Sequence, residues 1–202
     1  MQIVVNDLGI PIWPAGILLL GGVLTVLWRR KHSLPYLIFF SIFWVYILFG
    51  LDKTFFPLQL NGNFVDVMRQ APLFSQVNLV PFYFSKYGLS LSGYIVILDN
   101  ILLTVPCGFG LNFLRQLRLK EALWLSMGVG LGIEAMQFVI TLILRYPYRV
   151  VDINDVILNA LGVLIGYALF RILAWLYLSV VPQRSERKRG QLWAYLDDVV
   201  NR

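Results

Sequence analysis

Apolar residues fall in long, nearly unbroken runs, with the polar residues gathered into short clusters between them. Residues 10–28, I-P-I-W-P-A-G-I-L-L-L-G-G-V-L-T-V-L-W, form the first run, and residues 34–51, rich in Phe, Ile, Trp and Tyr, form the second. Three more cover about 93–114, 121–144 and 153–178. Each is long enough for a helix that crosses a hydrocarbon core of about 30 Å. The first run has Asp7 before it and R-R-K-H after it, opposite to the charge order of a cleaved leader, and so predicts a retained helix. The pattern predicts an all-α membrane protein of about five transmembrane helices, and no strand pattern competes with it.

The connection after Asp52-Lys53 is about forty residues long, far beyond an ordinary loop. Within it, N-x-x-D at Asn63–Asp66 marks a helix start. Phe64, Val67, Met68 and Ala71 follow at i, i+3, i+4 and i+7, which predicts a short helix lying on the membrane surface. The aromatic, proline-broken N-L-V-P-F-Y-F (Asn78–Phe84) predicts an interfacial or re-entrant segment. Beyond the fifth run, R-S-E-R-K-R is a basic linker. Leu192, Leu196 and Val199, with Tyr195, then stripe a cytoplasmic amphipathic tail suited to lie on the membrane or pack on a partner. The expected organisation is a transmembrane domain over residues 1–182, with its core at about 34–178, followed by the linker and tail over 183–202.

Composition narrows the class further. Hydrophobic residues make up 58% of the chain, charged residues 14%, and the mean hydropathy is +0.72, well away from a soluble domain. The net charge of +6 does not point to nucleic acid, because the basic residues sit at the ends of apolar runs rather than on one soluble face. With five spans, 12 of the 17 basic residues fall on one side and 5 on the other: Lys53, Arg69, Lys86, Arg145 and Arg149. The positive-inside rule then places the amino terminus outside and the carboxyl terminus in the cytoplasm. The single cysteine, Cys107, lies in an apolar run, which excludes an intrachain disulfide and a thiolate zinc site. The single histidine, His32, sits in the basic loop with Arg29, Arg30 and Lys31.

Chemistry concentrates in R-V-V-D-I-N-D-V-I-L-N-A-L-G-V-L-I-G (Arg149–Gly166). On a helix Asp152, Asp155 and Asn159 share one face, and Gly162 and Gly166 continue it with a step that lets a neighbouring helix approach closely. Glu134 and Gln137 share a face of the fourth span, and Asp99 and Asn100 lie in the third. On this topology all of them converge on the outward half of the membrane, where ionisable groups tend to mark sites. Helix-to-helix hydrogen bonding accounts for some of them. Asp152, Asp155, Glu134 and Asp99 are hard oxygen ligands that a divalent cation accepts, but Asp-x-x-Asp alone is a weak metal signal. As an alternative, Glu134 with the Asp152/Asp155 pair offers carboxylates for general acid–base chemistry on a lipid-linked envelope substrate, yet the outward side has no histidine, no cysteine and no G-x-S-x-G or H-E-x-x-H motif. A histidine-dependent lipid phosphatase is excluded there. Arg145 and Arg149 suit a phosphate or carboxylate, with Phe55, Phe56, Phe82, Tyr83 and Phe84 as an aromatic surround. The set favours binding over catalysis: an outward polar pocket for a lipid headgroup, a lipid-linked cell-wall precursor or an acylated antibiotic. Its expected residues are Asn78, Asn100, Glu134, Gln137, Arg149, Asp152, Asp155 and Asn159, with Gly162 and Gly166 packing helices behind them.

N-L-V-P-F (Asn78–Phe82), D-N-I-L-L-T-V-P-C-G-F-G (Asp99–Gly110), G-I-E-A-M-Q (Gly132–Gln137) and the Arg149–Gly166 block together resemble the VanZ-like membrane proteins, over roughly Leu34 to Leu178. The resemblance implies a multi-pass protein of the bacterial cell membrane, linked to reduced susceptibility to teicoplanin and related lipoglycopeptides. It names a phenotype rather than a reaction.

Overall fold

A computed structural model describes residues 9–10, 12–60, 62–83, 91–181 and 190–201. Helix α1 spans Trp13–Arg29 and α2 spans Leu34–Phe55. A six-residue α3 at Asn63–Met68 follows, then α4 at Leu91–Leu114, α5 at Leu119–Leu144, α6 at Ile153–Val180 and α7 at Gln191–Asn201. Four of these, α2, α4, α5 and α6, are long and apolar enough to cross a membrane. The first expected span forms α1, apolar but only 17 residues long. Proline in the first turn of α1 and of α2 fits both starts, since the missing N–H is one the helix leaves unpaired anyway.

α6 is the central helix. A third of its apolar stretch (33%) is buried, against 11–17% for the other three long helices. It packs mainly on α4 and α5, α4 packs in turn on α2, and α2 on α1. Glycine makes the α4–α6 approach possible. A Cβ on Gly162 would overlap the carbonyl oxygen of Ile101, one on Gly166 that of Val105, and one on Gly108 that of Val163. Side-chain bonds knit the outer layer. Trp44 Nε1 donates to the Gly16 carbonyl across α1–α2 at 3.0 Å, and the Tyr46 hydroxyl donates to the Leu103 carbonyl across α2–α4 at 2.8 Å.

Several expectations are corrected. Short strands do occur. β1 (Gly9–Ile10) pairs antiparallel with β2 (Leu58–Gln59), and β3 (Val77–Asn78) pairs parallel with β4 (Val151–Asp152). They are two-residue ladder fragments outside the helices, too short for any alternation to register. Helix α3 ends at Met68, before Ala71; Val65 is fully buried, while Val67 is 64% exposed. Six residues are too few for a helical face to follow a 3.6 period, so the surrounding loop decides which side is covered. The tail's amphipathic stripe packs on the chain's own bundle: Tyr195 and Val199 are buried against Phe113, Phe170 and Ala174. Asp152 is not on the helical face. It is the N-cap of α6, with extended backbone. Phe84, Lys86 and the R-S-E-R-K-R linker lie outside the described residues.

Helix directions give the bundle two distinct ends. Phe39 near the start of α2 stacks on Phe113 near the end of α4, with α7 beside them. The opposite end holds the end of α2, the start of α4, the end of α5 and the start of α6. There the Tyr148 hydroxyl in the α5–α6 connection donates to the carbonyls of Phe55 and Pro57 at 3.0 and 2.9 Å.

Candidate functional site

Around Asp152 the second end is knotted together by polar groups. Asp152 is fully buried, and its Oδ1 accepts from Asn78 Nδ2 at 2.9 Å and from the Asn154 N–H at 2.8 Å. The second of these bonds is the N-cap of α6, which satisfies one of the N–H groups a helix start leaves without a partner. The Asp152 N–H donates to Glu134 Oε2 at 2.9 Å, tying α5 to the same point. Asn154 Oδ1 accepts from the Phe82 N–H at 2.6 Å, and its Nδ2 donates to the Tyr83 carbonyl at 3.3 Å. The segment 77–83 is thereby strapped across the start of α6, with Leu79, Val80, Phe82 and Tyr83 exposed on its outer side. One turn further along α6, Asp155 Oδ1 accepts from Asn100 Nδ2 of α4 at 2.8 Å. The Asn159 carbonyl accepts from Thr104 Oγ1 at 2.8 Å.

Beside this knot lies a cavity of about 430 Å³, lined by Phe49, Lys53 and Thr54 of α2, Asp99, Asn100, Leu102 and Leu103 of α4, Ile133 and Gln137 of α5, and Arg149. Its lining is sorted by depth. In α2, which runs toward this end, Lys53 lies four residues beyond Phe49. In α4, which runs away from it, Asp99 lies four residues before Leu103. In α5, which runs toward it, Gln137 lies four residues beyond Ile133. Each step is one helical turn, about 6 Å. By backbone position the polar residue in all three helices is the one nearer the end of the bundle and the apolar residue is the deeper one, with the Lys53 ammonium reaching back to 5.8 Å from the centre of the Phe49 ring. Phe49 and Leu102, which line the cavity, are also 45% and 61% exposed, so part of its apolar lining comes from side chains that also reach the surface of the bundle.

Arg149 is positioned from both sides. Tyr148 anchors the connection to α2, Asp152 anchors it to α5 and to the strap, and the guanidinium lies 5.4 Å over the Tyr148 ring. The Tyr146 phenol, outside the spans and packed in the same connection, is raised above its ordinary pKa by burial first and the neighbouring Tyr148 second, and so stays neutral. Among the described residues no carboxylate forms an ion pair with Lys53 or Arg149, the ion pair found being Arg115–Glu121 at the other end. Among the described residues, Arg149 Nε and Gln137 Oε1 are buried without a hydrogen-bond partner, as are Thr141 Oγ1, Asp152 Oδ2 and both carboxamide atoms of Asn159.

Of the residues expected from sequence, Asn100, Gln137 and Arg149 line the cavity. Asn78, Glu134, Asp152 and Asp155 form the hydrogen-bonded knot behind it, and Asn159 is fully buried in the α4–α6 packing. Gly162 and Gly166 are where α4 comes closest. Sequence reasoning passed over Lys53, Thr54, Phe49, Leu103 and the strap-binding Asn154. A signal existed for Asn154, a carboxamide in the first turn of an apolar helix, but its partners are backbone groups more than 70 positions away. Among the described residues no group of three or more His, Cys, Asp or Glu side chains is placed to hold a metal ion.

The sequence model of the VanZ/LLP1 family matches residues 40–174, which take in the long helices from early α2 to late α6 and the whole knot. Neither the curated proteins nor the solved structures yield a match to the chain.

Proposed function

This chain belongs to the VanZ/LLP1 family, and from that premise we propose that its cavity binds a lipid-linked or amphiphilic ligand of the bacterial envelope with the polar end outward. Binding lowers the susceptibility of the cell to teicoplanin-type lipoglycopeptides, by sequestering the ligand or by altering the envelope they reach. The observation that carries this reading is the depth-sorted lining: Lys53, Asp99 and Gln137 each stand one turn nearer the end of the bundle than Phe49, Leu103 and Ile133. A site with polar groups at headgroup level and apolar groups below matches a molecule built the same way. The orientation, with the cavity and the amino terminus outside and α7 in the cytoplasm, is supported by the excess of basic residues toward the α7 end.

Catalysis by Glu134 with Asp152 and Asp155 has less support, because these carboxylates are engaged in the knot and do not line the cavity. The test fills the deep part of the cavity. Wild type and Leu102→Trp are expressed at equal membrane levels in a susceptible host, and the teicoplanin inhibitory concentration is measured. Wild type is expected to raise it at least about fourfold, and the variant to return it to the empty-vector value. A fourfold change corresponds to about 0.8 kcal/mol of differential binding, within reach of one occluded apolar contact. Equal protection from both proteins would sink the proposal.

A further inference from the structure

We infer that the polar end of the ligand is a net-anionic oxyanion headgroup held between Lys53 and Arg149, and that the ligand enters sideways from the bilayer over Phe49 and Leu102. This rests on the amphiphile-binding reading and adds the charge of the headgroup and the route of entry.

Three observations carry it. First, the charged groups lining the cavity are Lys53, Arg149 and Asp99, two cations and one carboxylate, and no ion pair among the described residues neutralises either cation. Second, Arg149 is built in rather than loosely exposed. Its connection is pinned at Tyr148 and at Asp152, its plane lies over an aromatic ring, and its buried Nε still has a donor to give. A guanidinium fixed in this way presents a fork to an oxyanion at little further ordering cost, while Lys53 adds a point charge from the α2 side. Third, Phe49 and Leu102 line the cavity while remaining exposed on apolar helices, so its apolar wall is continuous with a surface that faces lipid in a membrane-spanning bundle. A free anion would have no use for that continuity, whereas an acyl chain would. Gln137, with its unpartnered Oε1, adds an acceptor at the same level for a hydroxyl on the headgroup.

The experiment uses the full chain purified in detergent and stripped of lipid. It is titrated with dioctanoyl phosphatidylglycerol and dioctanoyl phosphatidylcholine, which share chains and a phosphate but differ in net charge. Binding is read by native mass spectrometry, with size-exclusion profiles as the check on folding. The anionic lipid is expected to bind at least about tenfold more tightly, the ratio of one or two charge-assisted contacts. Lys53→Gln combined with Arg149→Gln is expected to bring it down to the level of the neutral lipid, and Arg149→Lys, which keeps the charge but loses the fork, to keep only part of the preference. Sodium phosphate at millimolar concentration is expected to leave the lipid bound. Displacement by phosphate alone would overturn the assignment to a lipid. Equal binding of the two lipids, with both lost in Leu102→Trp, would overturn the anionic headgroup and leave the amphiphile site standing. Lipid binding indifferent to Leu102→Trp would overturn both.

Discussion

The two ends of the bundle are built on opposite principles. At the α7 end, Phe39, Phe113 and Phe170 meet at ring separations of 4.6 and 5.4 Å, and Tyr195 and Val199 of α7 close over them. Polar groups there are satisfied. Asn112 donates to the Gly108 carbonyl and accepts from the Leu117 N–H, the Tyr195 hydroxyl donates to the Phe113 carbonyl, and the Tyr177 hydroxyl donates to Asp197. At the cavity end, all six buried side-chain polar atoms that lack a protein partner among the described residues are gathered, on Gln137, Thr141, Arg149, Asp152 and Asn159. Each such atom costs about 1–3 kcal/mol of desolvation if nothing meets it. Two of the six atoms, Gln137 Oε1 and Arg149 Nε, belong to residues that line the cavity, and the other four lie in the packing behind it. On the binding proposal, the α7 end holds the fold and the cavity end meets the ligand.

The contact shared by both ends gives the largest expected effect. Gly162 lies where α6 meets α4, and a side chain there strikes the Ile101 carbonyl and Thr104 Oγ1. Backbone cannot yield as a flexible side chain does, so Gly162→Leu is expected to cost at least about 3 kcal/mol and to abolish a monodisperse fold. Detergent size exclusion and thermal unfolding measure it. A folded variant that still binds lipid would show that the two ends do not depend on this interface.

How much of this was legible in the sequence follows the same division. The long apolar runs gave the long helices to within a few residues, because length and hydrophobicity are properties of the segment itself. The Gly162/Gly166 approach was legible for the same reason, since small residues one turn apart have a local meaning. Asn78 and Asp152 were legible as candidates but not as partners: 74 positions separate them, and the bond depends on a two-residue parallel ladder with no pattern of its own. Lys53 was illegible as a cavity residue because α2 is apolar nearly all round, so nothing local says which side of it faces α4. The docking of α7 was legible as an amphipathic stripe without an address. What covers a stripe is decided by the aromatic cluster it meets.

A second variant separates the ends. Tyr195→Ala removes an aromatic ring from the α7-end cluster and the donor to the Phe113 carbonyl. It is expected to lower stability by about 3 kcal/mol, seen as a lower unfolding temperature, while leaving the affinity for the short-chain anionic lipid unchanged below that temperature. A parallel loss of affinity would mean that α7 is coupled to the cavity, and the division into a structural end and a binding end would fail.

The smallest effect on stability is also the most discriminating, because its sign differs between the two readings of the buried polar residues. If Gln137 serves to hold helices together, replacing it with Leu removes glue and the protein loses stability by about 1 kcal/mol. If its Oε1 is held without a partner for a ligand, Gln137→Leu removes a buried acceptor that nothing among the described residues satisfies. Stability should then stay level or rise by up to about 1 kcal/mol, while affinity for the anionic lipid falls. Thermal unfolding of lipid-stripped protein gives the first quantity and lipid titration the second. A rise in one with a fall in the other is the signature of a residue kept for binding at the expense of the fold. A fall in unfolding temperature with unchanged affinity would assign Gln137 to packing, and would take with it one of the six atoms on which the contrast between the ends rests.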